Sequence, residues 1–152
     1  QLKYDNPHFI YQIQARLGDG GIYVSVWTDQ PIPDELKGIA SLDIEFAPML
    51  YVGHTYIMDG KVREIPYSPH GEMIIRKTDA SKPLPIATGK KFDINPDDAE
   101  RHITVSSAEQ NLLFYDGWSK AQNGWLVLRS LLPAGKSGKI LEWFISGETK
   151  KS

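Results

Sequence analysis

The feature that most constrains this chain is an alternation of period two near its N-terminus. Between positions 9 and 17 the odd residues Phe9, Tyr11, Ile13, Ala15 and Leu17 are apolar or aromatic, while Gln12, Gln14 and Arg16 fill even positions. Successive side chains of a strand point to opposite faces, so the pattern predicts a strand with one face on a core and one in water. Gly18-Asp19-Gly20-Gly21 follows and supplies turn residues that accept positive φ. Residues 22–28 then read IYVSVWT, rich in β-branched and aromatic side chains, so a hairpin is expected.

The same grammar recurs. In residues 39–47, IASLDIEFA, Ala40, Leu42, Ile44 and Phe46 share one face and Ser41, Asp43 and Glu45 the other. Pro48 lacks a ladder donor and should end or bend that strand. Residues 51–58 and 61–65 flank Asp59-Gly60, a type I′ signature, and predict a second hairpin. Further strands are expected over 72–77, 85–88, 91–94, 103–105, 111–115, 124–132 and 139–146. Helical turns are expected near 34–37 and over 96–101. The second begins at Asn95-Pro96-Asp97-Asp98, which reads as an Asn cap, a first-position Pro and acids in the first turn. About ten short strands punctuated by turns predict an all-β fold, a single jelly-roll-like β-sandwich, with a closed β-barrel as the alternative.

Composition bounds the rest. A chain of 152 residues suits one domain, and a domain of that size buries roughly 68–70% of its unfolded surface. Seventeen Lys and Arg against nineteen Asp and Glu leave a net charge of −2, which offers no electrostatic footprint for nucleic acid or an anionic membrane. No apolar run approaches a membrane span, so no membrane insertion is expected. The absence of cysteine excludes disulfides, thiolate metal sites and a Cys nucleophile. The chain begins at Gln1 rather than Met, which suggests a processed product or a segment of a longer chain.

The acidic face of residues 41–46 bears on function. Asp43 and Glu45 at i and i+2 share a face and could point into one cleft, and glycoside hydrolysis requires two facing carboxylates. The stretch resembles the second half of the E-x-D-x-E catalytic strand of family 16 glycoside hydrolases, such as laminarinases and lichenases. That resemblance implies an acid/base role for Glu45 and the middle-acid role for Asp43. Ser41 stands where the family carries its nucleophilic Glu. The competing reading is an ordinary strand with its acids on the wet side.

Other constellations are weaker. His8, His54, His70 and His102 are far apart and form no metal-binding motif, so no metal and no cofactor are expected. Ala134-Gly135-Lys136-Ser137-Gly138-Lys139 lacks the first Gly of a phosphate-binding loop and reads as a hairpin turn. The stretch YDGWSKAQNGW, residues 115–125, places two tryptophans around a polar, glycine-bearing loop. An aromatic ring can cover the apolar face of a pyranose while short polar groups bond its hydroxyls. Tyr and Trp also suit protein interfaces.

These residues predict first a non-enzymatic recognition module of a cell or virus surface, of the phage tail-fibre or adhesin type. Its ligand is a glycan or surface receptor held by Trp118, Asp116, Gln122 and Asn123. The expected location is accordingly extracellular, at a cell surface or on a virion. The second expectation is a structural subunit of a virion, tail or pilus, assembling as a homo-oligomer or with a partner. The third is a glycoside hydrolase using Asp43 and Glu45.

Overall fold

The computed structural model describes residues 2–5, 8–65, 84–117 and 124–147. It is a two-sheet, antiparallel β-sandwich with no closed barrel. The strands are β1 (Leu2–Asp5), β2 (His8–Gly18), β3 (Gly21–Thr28), β4 (Ser41–Phe46), β5 (Thr55–Met58) and β6 (Lys61–Glu64). After them come β7 (Ala87–Gly89), β8 (Lys91–Ile94), β9 (Ile103–Ser107), β10 (Leu112–Asp116), β11 (Leu126–Leu131) and β12 (Gly138–Ser146). One sheet has eight strands in the order β1-β2-β3-β12-β9-β8-β5-β6, and the other has four in the order β4-β11-β10-β7.

Both expected hairpins form. β2 and β3 close at Gly18 and Gly21, with Gly20 at φ 75°. At the second, Asp59 and Gly60 both have positive φ, 49° and 79°, as a type I′ turn requires. Asp59 tolerates that conformation because its carboxylate is put to use. It accepts from the backbone N–H groups of Lys90 and Lys91, which clamps the β5–β6 turn onto the start of β8. Those bonds hold the Asp59 carboxyl below the usual carboxylate range.

The main core is built by inward-facing residues of both sheets. Phe46, Tyr56, Phe92, Phe114, Leu126, Leu128 and Trp143 meet there, and Phe92 and Phe114 pack with ring centroids 4.7 Å apart. A second cluster of Phe9, Val26, Ile32, Leu132, Ile140 and Leu141 closes the other end. Between the sheets runs one buried polar relay. The Trp143 indole N–H on β12 donates to Ser130 Oγ on β11 at 2.9 Å, and that hydroxyl donates to the Asn111 carbonyl at 2.7 Å.

Four expectations are corrected. No helix forms over 96–101. Asn95 adopts positive φ, 53°, which an N-cap does not, and the Asp98 carboxylate instead accepts from Glu100 N and Arg101 N to build a turn. Residues 51–54 of the expected 51–58 strand form a turn that follows a 3-10 turn at Pro48–Leu50, and strand begins only at Thr55. The stretch 134–139 is not a hairpin turn, because β11 and β12 lie in different sheets and the segment carries the chain between them. Finally, the odd residues of β2 are not uniformly buried: Phe9 is, but Ile13 is 50% and Leu17 86% exposed. The eight-stranded sheet is wider than the four-stranded one, and the tip of the β2–β3 hairpin projects past its cover. The expected strand over 72–77 lies outside the described residues. The helical turn near 34–37 is present as a 3-10 turn at Asp34–Leu36.

The relay yields a stability prediction. Ser130→Ala leaves the indole N–H without its acceptor in a dry core, which should cost about 1–3 kcal/mol in chemical denaturation. In a Trp143→Phe background the same substitution should cost clearly less, because no N–H remains to be orphaned. Equal costs in both backgrounds would show that the relay is not what Ser130 contributes.

Candidate functional site

The outer face of the four-stranded sheet carries the densest chemistry. Alternation turns Leu42, Ile44 and Phe46 of β4 inward and Ser41, Asp43 and Glu45 outward, as the sequence predicts. On β11 the same rule turns Leu126, Leu128 and Ser130 inward and Val127, Arg129 and Leu131 to the other side, where Val127 is nonetheless buried. The register sets Asp43 opposite Arg129, Glu45 opposite Val127, Leu113 opposite Arg129 and Tyr115 opposite Val127.

Asp43 is fully engaged. Arg129 Nε donates to its Oδ1 at 2.9 Å and Arg129 Nη2 to its Oδ2 at 3.0 Å, a bidentate pair. Ser41 Oγ also donates to Oδ1, at 2.8 Å. The residue in place of the glycosidase nucleophile is therefore a hydrogen-bond donor to the middle acid. The Arg129 guanidinium carbon lies 5.2 Å from the Tyr115 ring centroid, in a cation–π arrangement. The Asp43 hydrogen bonds hold the Arg129 pKa above its ordinary value, so the guanidinium stays charged. Burial pushes the Tyr115 hydroxyl up, against an opposing pull from Arg129. Glu45 is exposed, beside this network rather than within it.

The loop singled out in the sequence springs from the end of this face. Gly117 N donates to the Trp125 carbonyl at 2.9 Å and Gly124 N to the Gly117 carbonyl at 3.2 Å, which closes its neck. Gly124, at φ 79°, supplies the left-handed bend there. Trp118, Gln122 and Asn123 lie outside the described residues. Trp125 is 43% exposed, at the end of the outward row that continues through Val127 and Arg129. Asp116 is only 3% exposed and shares the inward face of β10 with Leu112 and Phe114. Burial raises the Tyr56 pKa, Arg63 opposes the rise, and Asp116 adds to it.

Of the residues expected to act together, the structure brings Asp43 and Glu45 to one exposed face and sets Asp116 beneath it. Sequence reasoning missed Arg129, which lies 86 positions from Asp43. The available signal was a lone charge in the otherwise apolar and small-residue run LVLRSL.

The histidines do not converge among the described residues, and no group of three or more His, Asp or Glu there could hold a metal. His54 is exposed, and His70 lies outside the described residues. His102 lies on the outer face of the eight-stranded sheet, with Nε2 3.0 Å from Asp93 Oδ1 and 3.1 Å from Thr104 Oγ1. Thr104 donates its hydroxyl proton to the same Asp93 oxygen, so Nε2 carries the hydrogen, and Nδ1 is buried without a partner among the described residues. This is a structural hydrogen-bond cluster.

The sequence matches no family model, and no curated protein or solved structure matches it significantly.

Two measurements check this description. Asp43→Ala should cost about 1 kcal/mol or less, because the Arg129 pair is partly exposed and screened. The tyrosines give a pH dependence. Burial raises the pKa of Tyr51, Tyr56 and Tyr115 in the folded state. Folded pKa values above the unfolded one, about 10, mean that stability is fully present below that value and is lost as pH rises through the folded values. Denaturation followed from neutral pH to beyond the tyrosine range should show a plateau and then a fall. Tyr115→Phe should make the fall shallower.

Proposed function

We propose that this protein is a non-enzymatic recognition module that binds a glycan on a cell or virus surface. The observation that carries the reading is the outer face of the four-stranded sheet. There Tyr115 and the half-exposed Trp125 accompany a pre-paired Arg129–Asp43–Ser41 network, at the foot of the 118–123 loop. A face with aromatic rings at one end and paired donors and acceptors beside them suits a sugar, which offers apolar C–H faces and hydroxyls around its ring. In this reading Trp118 stacks on the ligand and Gln122 and Asn123 bond its hydroxyls. Asp116 acts from below by supporting the neck of the loop.

The state of Asp43 favours binding over hydrolysis. Ser41, which stands in the nucleophile's place, carries no carboxylate and donates to Asp43, whose two oxygens are taken up by it and by Arg129, so no second free acid stands beside Glu45 on this strand. Rigidly paired side chains are what a binding face needs, because little is lost in ordering them.

The test is a glycan-array screen of the intact chain, with Trp118→Ala and Trp125→Ala beside it. Binding to a defined sugar class is expected. The Trp118 variant should lose at least about 2 kcal/mol, roughly thirtyfold in affinity, with its fold unchanged. Release of reducing sugar, abolished by Glu45→Gln, would replace this reading with a glycosidase. Silence across a broad array would replace it with an assembly subunit.

A further inference from the structure

We infer that the free edge of β2 is a self-association surface, at which two copies of this chain pair antiparallel about Ala15. Three observations lead there. The first is an open edge. β1 pairs with the start of β2, from His8 to Tyr11, and β3 pairs with the other side of β2 from Tyr11 to Gly18. Among the described residues no strand pairs with β2 on its outer side from Gln12 to Gly18. An unpaired run of that length is a template for another strand.

The second is an apolar face continuous with the core. Ile13, Ala15 and Leu17 lie on the same face as Val26, Val24 and Ile22, their partners across the hairpin, and as Leu141, Trp143 and Ile145 on β12. Val26 and Trp143 are buried there, but Ile13, Leu17 and Ile22 are exposed. A surface patterned as core but left uncovered by the narrower sheet marks an interface.

The third identifies the occupant. In antiparallel pairing about a twofold axis, residues whose numbers sum to a constant face each other. Centred on Ala15, the strand QIQARLG is its own complement: Ile13 faces Leu17, Gln12 faces Gly18, and Gln14 faces Arg16. Every apolar side chain meets an apolar one on one face. On the other, the one charge of the strand meets an amide rather than its own copy. Centring the pair one residue later would set Arg16 against Arg16, which like-charge repulsion disfavours. A foreign strand would need to match this pattern, whereas a second copy already does. The pairing would extend the eight-stranded sheet across two chains and leave the outer face of the four-stranded sheet free, so it is independent of glycan binding.

The chain has no cysteine, so a single introduced thiol reports the register. Residues directly opposite have Cβ atoms about 4.5–5.5 Å apart, and diagonal ones are farther. Ala15→Cys under mild oxidation should therefore give a covalent dimer, and Arg16→Cys much less. Sedimentation velocity on the uncrosslinked chain should show a concentration-dependent monomer–dimer equilibrium. Gln14→Glu should tighten it, and Gln14→Arg weaken it, each by roughly two- to tenfold in dissociation constant. A monomer at the highest attainable concentration would overturn the inference. So would a dimer indifferent to both Gln14 substitutions, or one that crosslinks equally from positions 15 and 16.

Discussion

The sandwich is held in one arrangement by a hydrogen bond that crosses it. Apolar burial drives the two sheets together but is non-directional, so it does not choose which residue of β11 lies beneath Trp143. The indole N–H makes that choice, because a buried donor without an acceptor is costly and Ser130 Oγ supplies one. The hydroxyl must in turn place its own proton, and the Asn111 carbonyl receives it. A slip of one residue in β11 would bring Arg129 under the indole and put Ser130 in water, since one position reverses every face of a strand. The outer face therefore inherits its order from the inner one. Arg129 stands opposite Asp43 because Ser130 stands beneath Trp143, and the candidate site is the reverse side of the core relay.

A second constraint is the unequal width of the sheets. Four strands cannot cover eight, and the deficit falls on the β2–β3 hairpin, where an apolar face continues beyond its partner. The outer side of that hairpin is well ordered by its own contacts. Arg16 lies 4.0 Å over the Tyr23 ring and 3.9 Å from Glu142, Tyr23 packs on Phe144, and the Trp27 N–H bonds Ser25 Oγ. Close backbone packing adds to this: a Cβ at Gly21 would fall 2.3 Å from the Ile145 carbonyl. The hairpin is thus a fixed projection of the sheet, one face knitted by polar and aromatic contacts and the other left apolar.

Which features could be read from sequence follows from how far their causes reach. The Asp59-Gly60 turn was legible because its φ values depend on two residues, and the split of β4 into an apolar and a polar face because alternation is local. The sharing of a face by Ile13, Ala15 and Leu17 was legible for the same reason. Their exposure was not, since it depends on how far a different sheet extends. Asn95 looked like a cap because Asn-Pro followed by acids often is one. Strand β9 resumes at Ile103, leaving room only for the turn that Asp98 builds. The segment 134–139 looked like a hairpin because flanking strands usually pair, and nothing local says that β11 and β12 belong to different sheets. Arg129 escaped notice because its meaning lies in Asp43, which is distant in the chain and adjacent in the sheet.

The acidic strand shows why spacing alone does not define a site. Alternation guarantees that Asp43 and Glu45 share a face, and any strand bearing acids at i and i+2 does the same. What differs is the neighbouring strand. Arg129 opposite Asp43 turns one acid into half of a fixed ion pair, while Val127 opposite Glu45 gives the other no cation across the ladder. The two carboxylates thus differ in surroundings: Asp43 is held in its pair, and Glu45 is exposed beside it. They form a polar edge on a face whose opposite border is Tyr115 and Trp125. What sets the character of this face is therefore the residue across the ladder from each acid, not the spacing of the acids along β4.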